Sequence, residues 1–247
     1  MAKNPVLTDR EKFLLSGLIE NKVMTRNQIH RKIFPSVGKK SLSRYLKRLL
    51  NVGFISDKMQ KRISKNDIFY ELTDSGLECG MRVYDALFVQ KPTHSYTFDH
   101  DSGLVDIRYR LENSKMLDAY YTENMLQCFS HLQIDERLKP FIDMKSDAAA
   151  FINMNGKLKS VAIEYEPTKK WIERYRDKIL YYYVNASIDL VFYFCRDEST
   201  IKSIQQIERE IHPEGHSKMY FILFRDATAL AELMTFKNRN QANLEIK

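Results

Sequence analysis

The chain has 247 residues, 44% of them hydrophobic, and a formal net charge of +7, which suits two modest domains with real cores and a surplus of cations to place. A mean hydropathy of −0.44 without a long apolar run excludes a membrane span, and Met1–Thr8 offers no apolar core for a secretory signal. Cys79, Cys128 and Cys195 are scattered without a close pair, which excludes a disulfide framework or a zinc site and suggests a cytoplasmic, reducing setting.

The cations are not spread evenly. Residues 1–90 hold 17 Lys and Arg against 9 Asp and Glu, an excess of +8, whereas the remainder, with 22 against 23, carries −1. Between Glu20 and Asp57 there is no acidic residue. Clustering of one sign in this way is the footprint of a polyanion site.

In chain order, Thr8 and Glu11 stand in capping-box register before an apolar face of Phe13, Leu14, Leu15, Leu18 and Ile19. Asn21-Lys22 breaks that helix, and Thr25 caps a short second one containing Ile29, Ile33 and Phe34. Pro35–Gly38 is a turn. The spacing then predicts a helix over residues 38–53, with Leu42, Tyr45, Leu46 and Leu49 on one face and Lys39, Lys40, Ser43, Arg44, Lys47 and Arg48 on the other. Ser41 is the hydroxyl expected to satisfy an amide near its start, and Gly53 suits a left-handed stop. Lys and Arg on such a helix can hold phosphates while Ser or Arg approaches base edges. Phe54–Ser56 and Ile68–Leu72 read as strands joined by a cationic loop carrying Lys61, Arg62 and Lys65. Residues 74–90 read as a helix, and Lys91-Pro92 marks the boundary between domains 1–90 and 91–247.

The segments LLNVGFI and YELTDSG, in register between Leu49 and Gly76, resemble the winged helix-turn-helix family over residues 8–80. That resemblance implies double-stranded DNA as the partner. It places residues 39–48 in the major groove and Lys61, Arg62 and Lys65 near phosphates or the minor groove, with no cofactor required.

The second domain is expected to run from a helix at 99–113 to a strand at 116–122, with residues 126–145 irregular. A strand at 147–154 turns at Asn155-Gly156, the strongest hairpin signal in the chain, into a strand at 159–166. A helix at 169–185, a buried strand at 188–195, a helix at 199–211, a final strand at 219–224 and a short helix at 227–233 complete it. The order resembles the restriction-endonuclease-like fold, so the whole chain reads as α+β with a mixed central sheet. That fold implies an acid at Asp147, then a second acid and a lysine on the next strand, at the positions of Glu164 and Glu166, which sit two apart on a strand and face one way. Such a cluster suits Mg²⁺ bridging to a phosphate, with Asp147 and Glu164 as ligands and Lys170 supplying a cation. Glu166 departs from the pattern by standing where the active family carries lysine. Lys169, Lys170 and Lys178 on the following helix are the candidate replacements.

HDSGLVDIR at 100–108, the strand at Asp147, IEYE at 163–166 and the helix with Lys178 and Tyr181–Tyr183 together resemble the plasmid-associated replication-relaxation family. This implies a DNA-binding accessory or regulator in replication, mobilisation or transcription control. The alternatives are a metal-dependent nuclease, and a scaffold for replication or relaxosome proteins. His100 is read as a helix-capping residue, and a homodimer is expected on DNA, through residues 74–90 or the tyrosine-rich helix.

Overall fold

The computed structural model describes residues 6–61, 66–84, 87–229 and 233–247. It is a mixed α and β structure that divides into two compact units, Met1–Val105 with Gln127–His131, and Asp106–Leu126 with Leu132–Lys247. Among the described residues, no helix is long and apolar enough to cross a membrane.

The first unit begins with α1 (Asp9–Asn21), capped as expected by the reciprocal Thr8–Glu11 box. Leu14, Leu15, Leu18 and Ile19 are buried, but Phe13 is exposed. A short strand with no periodic signal in the sequence, β1 (Val23–Thr25), follows. Thr25 and Gln28 form a second capping box on α2 (Arg26–Gln28), which continues as a π-helical turn, Ile29–Ile33. Then comes α3 (Lys39–Asn51), burying Leu42, Leu46 and Leu49. Its N-cap is Gly38 without a side-chain bond. Ser41 Oγ instead accepts from Arg44 Nη2 at 3.1 Å, so the expected hydroxyl cap is not formed. Gly53 adopts the left-handed stop, with φ +72°.

Strands β2 (Ile55–Lys61) and β3 (Asn66–Leu72) are longer than expected and pair antiparallel, with β1 on the other side of β3. Thr73 caps α4 (Asp74–Val83) through Gly76 N, and its own hydroxyl donates to Gly53 O. A Cβ on Gly76 would lie 1.8 Å from Phe54 O, so only glycine permits α4 to approach this turn. That close approach is the physical content of the LTDSG sequence. Helix α4 stops well short of residue 90. Beyond it, Phe88 pairs with Phe129 as an isolated bridge, and Tyr84, Phe88 and Phe129 pack as an aromatic cluster. The unit runs past residue 90 because Phe98 packs with Val23 and Phe69, and Gln28 Nε2 donates to Ser102 O at 2.8 Å.

The second unit holds a seven-stranded sheet in the order β10-β9-β8-β7-β6-β5-β4. Helix α5 (Phe98–Glu112) carries the division between units and leads to β4 (Leu117–Thr122). The stretch expected to be irregular contains three short helices, α6 (Glu123–Cys128), α7 (Ser130–Gln133) and α8 (Lys139–Met144). Strands β5 (Ala148–Met154) and β6 (Lys157–Glu166) form the expected hairpin. Asn155 and Gly156 both have positive φ, 52° and 77°, as that turn requires.

The chain crosses by α9 (Ile172–Val184) to β7 (Leu190–Cys195), and by α10 (Glu198–Ile211) to β8 (Met219–Leu223), so β6, β7 and β8 run parallel. The last helix, α11 (Phe224–Ala227), starts earlier than expected, and residues 230–232 of the expected helix lie outside the described residues. Strand β8 is not the last. Two four-residue strands, β9 (Met234–Lys237) and β10 (Asn243–Ile246), follow it antiparallel. On β6, alternation sends Glu164 and Glu166 to the face covered by α9, while Tyr165 packs on Phe224 behind it.

Candidate functional site

Helix α3 presents the predicted basic residues in three conditions. Lys39, Lys40 and Lys47 are exposed, and no carboxylate engages them among the described residues. Arg44 is exposed and rests on Ser41. Ser43 is occupied twice, donating to Lys39 O at 2.8 Å and accepting from Arg26 Nη2. Arg26, which helical periodicity does not single out, therefore joins this surface from α2. The signal for it is its place within the acid-free stretch. Arg48 turns away from the row. Its Nη1 bonds both oxygens of the fully buried Glu11, and Nη2 donates to Val6 O. Lys61 ends β2 with its side chain outside the described residues, where Arg62 and Lys65 also lie. Lys58, on the same strand, is held by Glu71 at 2.6 Å.

The second candidate site is a buried cluster of charge. Asp147 precedes β5, and the β5–β6 register sets it beside Glu164. Its Oδ2 accepts from Tyr165 N at 2.8 Å. Glu164 is fully buried. Lys178 from α9 forms an ion pair at its Oε2, and the Tyr182 hydroxyl donates to its Oε1. Ser146 in turn bonds the Tyr182 oxygen at 3.0 Å. Glu166, 1% exposed, is paired with Lys170, whose Nζ lies 3.0 Å from Oε1 and 2.9 Å from Oε2. Lys170 N donates to Tyr175 OH at 2.9 Å, which fixes the loop between β6 and α9.

Burial pushes the Glu164 carboxyl up to about 7, with Lys178 opposing and Asp147 adding to the rise. Burial also raises Glu166, against the pull of Lys170. Burial alone would lower Lys178, but Glu164 and Asp147 outweigh it and hold the ammonium above its usual value. Of the three candidate lysines, two are therefore engaged, each by its own acid, and Lys169 stays exposed. His100 lies inside the first turn of α5, with Nδ1 3.0 Å from Asp101 Oδ1.

The predicted acids thus lie side by side, but their donor set does not fit a divalent ion in this arrangement. Both Glu164 oxygens are already taken, and Lys178 stands where a metal would. Among the described residues, no group of three or more His, Cys, Asp and Glu side chains is placed to hold a metal. The arrangement is a satisfied ion-pair core, in which each buried carboxylate has an ammonium partner. The chain matches no protein-family model, and no curated protein is similar to it in sequence.

Proposed function

We propose that this chain is a sequence-specific double-stranded DNA-binding accessory or regulatory protein, with the first unit acting as a winged helix-turn-helix. The observation that carries the reading is the outer row of α3. Lys39, Lys40, Arg44 and Lys47 are exposed on a helix whose opposite side is fastened by Leu42, Leu46 and Leu49. A rigid cationic helix with no acid in its own sequence suits a major groove, and the hairpin of β2 and β3 after it has the position of a wing. The second unit is read as a restriction-endonuclease-like scaffold whose carboxylates serve as internal ion pairs. Together with the likeness to the replication-relaxation family in HDSGLVDIR and IEYE, this supports a role on plasmid or mobile-element DNA, in replication, mobilisation or transcription control. A homodimer is the proposed DNA-bound form, since one such helix reads few base pairs, and replication or relaxosome proteins are the proposed partners.

The test is a duplex titration across salt concentrations. The double variant R44A/K47A should bind more weakly, with a slope of log affinity against log salt shallower by about one unit for each phosphate that is no longer neutralised. Unchanged binding by that variant would remove the proposal's basis.

A further inference from the structure

We propose that the carboxyl ends of β6, β7 and β8 carry a second nucleic-acid site, one for single-stranded DNA, with Trp171 as the platform on which an unpaired base stacks. The three strands are parallel, so the segments that follow them emerge at one edge of the sheet, the edge where open α/β sheets take their ligands. Trp171 is the chain's single tryptophan and is 85% exposed at the N-cap of α9, with half-exposed Ile172 beside it. Its exposure is not that of a loose loop. Lys170, its neighbour, is fastened by its amide to Tyr175 OH and by its ammonium to Glu166.

The indole is therefore held out into solvent by a braced backbone, with its flat aromatic face open to a stacking partner. The cations around it define that partner. Exposed Lys169 precedes it and exposed Arg174 follows it by one helical turn, and neither has a carboxylate partner among the described residues. Arg196 leaves β7 with its amide on Glu166 O at 3.1 Å, and Arg225 after β8 is exposed with Asp226 Oδ1 3.6 Å from its Nε. Of the acids on these segments, Asp197 caps α10, accepting from Thr200 N and Ser199 Oγ, and Asp226 lies beside Arg225, while Glu173, Asp177 and Glu198 are exposed. An aromatic face flanked by cations, in a unit whose total charge is close to neutral, suits a strand whose bases are free to stack and whose phosphates run alongside. A duplex keeps its bases stacked on each other and offers Trp171 no partner.

This inference does not depend on α3, and the test keeps the two apart. The full-length protein is titrated with a dT oligomer of about 16 nucleotides while tryptophan emission, which reports Trp171 alone, is followed. Quenching that saturates and weakens with salt is expected. By anisotropy of the labelled oligomer, W171A should bind at least about tenfold more weakly and W171F by less, because phenylalanine keeps a stacking face. Thermal unfolding should be unchanged in both, since the side chain is solvent-exposed. In R44A/K47A, duplex affinity should fall while dT binding stays. The proposal is overturned if W171A binds dT as tightly as the parent, if a duplex of equal length or heparin quenches as strongly as dT, or if R44A/K47A loses dT binding too.

Discussion

Arg48 Nη1 lies 2.7 Å from Glu11 Oε2, and this pair fastens the last turn of α3 to the first turn of α1. Glu11 is fully buried and also accepts from Thr8 N and Thr8 Oγ1, so one carboxylate both caps a helix and holds its neighbour. Arg48 belongs by sequence to the basic face, but by geometry to the frame that orients it. R48M should therefore destabilise the protein by about 1–3 kcal/mol, because a buried acceptor is deprived of its charged donor. K47A, one residue earlier, should leave stability within about 0.5 kcal/mol. Urea denaturation of both variants tests this, and equal stabilities would refute the assignment of Arg48 as a structural residue.

Gly76 gives a second test, of the packing of α4 on the turn after α3. With Phe54 O only 1.8 Å from where a Cβ would stand, G76A must push its methyl group against the Phe54 carbonyl and force the backbone to shift. A destabilisation of about 1–3 kcal/mol is expected, as for other overpacked positions. At Gly38, where a Cβ meets nothing within 4 Å, alanine should be far milder. A Gly76 variant as stable as the Gly38 variant would show that the close approach is not maintained in solution.

The division between legible and hidden features follows interaction range. Helices α1 and α3, the Asn155-Gly156 turn and the alternation that puts Glu164 beside Glu166 are local, and the sequence spells each of them out. Strands β1, β9 and β10 are three or four residues long, too short for a period to register, and exist because a neighbour pairs with them. Tyr84 and Phe88 fall at helical spacing and so extend α4 too far on paper, whereas their aromatic partner, Phe129, lies some forty residues on. The three acids are readable as types at positions. Which lysine answers which acid is not, since Lys178 meets Glu164 only once α9 has docked on the sheet.

The Glu164–Lys178 pair makes the effect of one substitution depend on pH. The Glu164 carboxyl titrates near 7 in the folded protein against an ordinary value of 4.5. Its folded form therefore holds the proton more tightly. Its contribution to stability is full below pH 4.5 and disappears as pH rises through 7. Above that window Glu164 is charged and needs Lys178; below it the neutral acid does not. K178M should cost about 3–5 kcal/mol at pH 8, the usual penalty for half of a buried pair, and much less at pH 5. Thermal unfolding at the two pH values measures the difference. An equal destabilisation at both would mean that Glu164 keeps one protonation state throughout.

The same pair bears on catalysis. A metal-dependent nuclease needs carboxylate oxygens open to a divalent ion and a cation near the scissile phosphate. Here Lys178 and Tyr182 occupy the oxygens of Glu164, and Lys170 is bound to Glu166. A metal entering beside Asp147 would have to displace a buried ammonium, leaving that charge without its partner. Lys170 and Lys178 are thus held by the buried acids rather than open to a phosphate, and losing a group that stabilises developing charge there costs orders of magnitude in rate. Purified protein with Mg²⁺ or Mn²⁺ should leave supercoiled and linear DNA intact over hours, and unfolding temperature should not respond to either ion. Robust nicking that disappears in E164A would reverse this and make the buried acids a catalytic centre; nicking that survives in E164A would point to a contaminant.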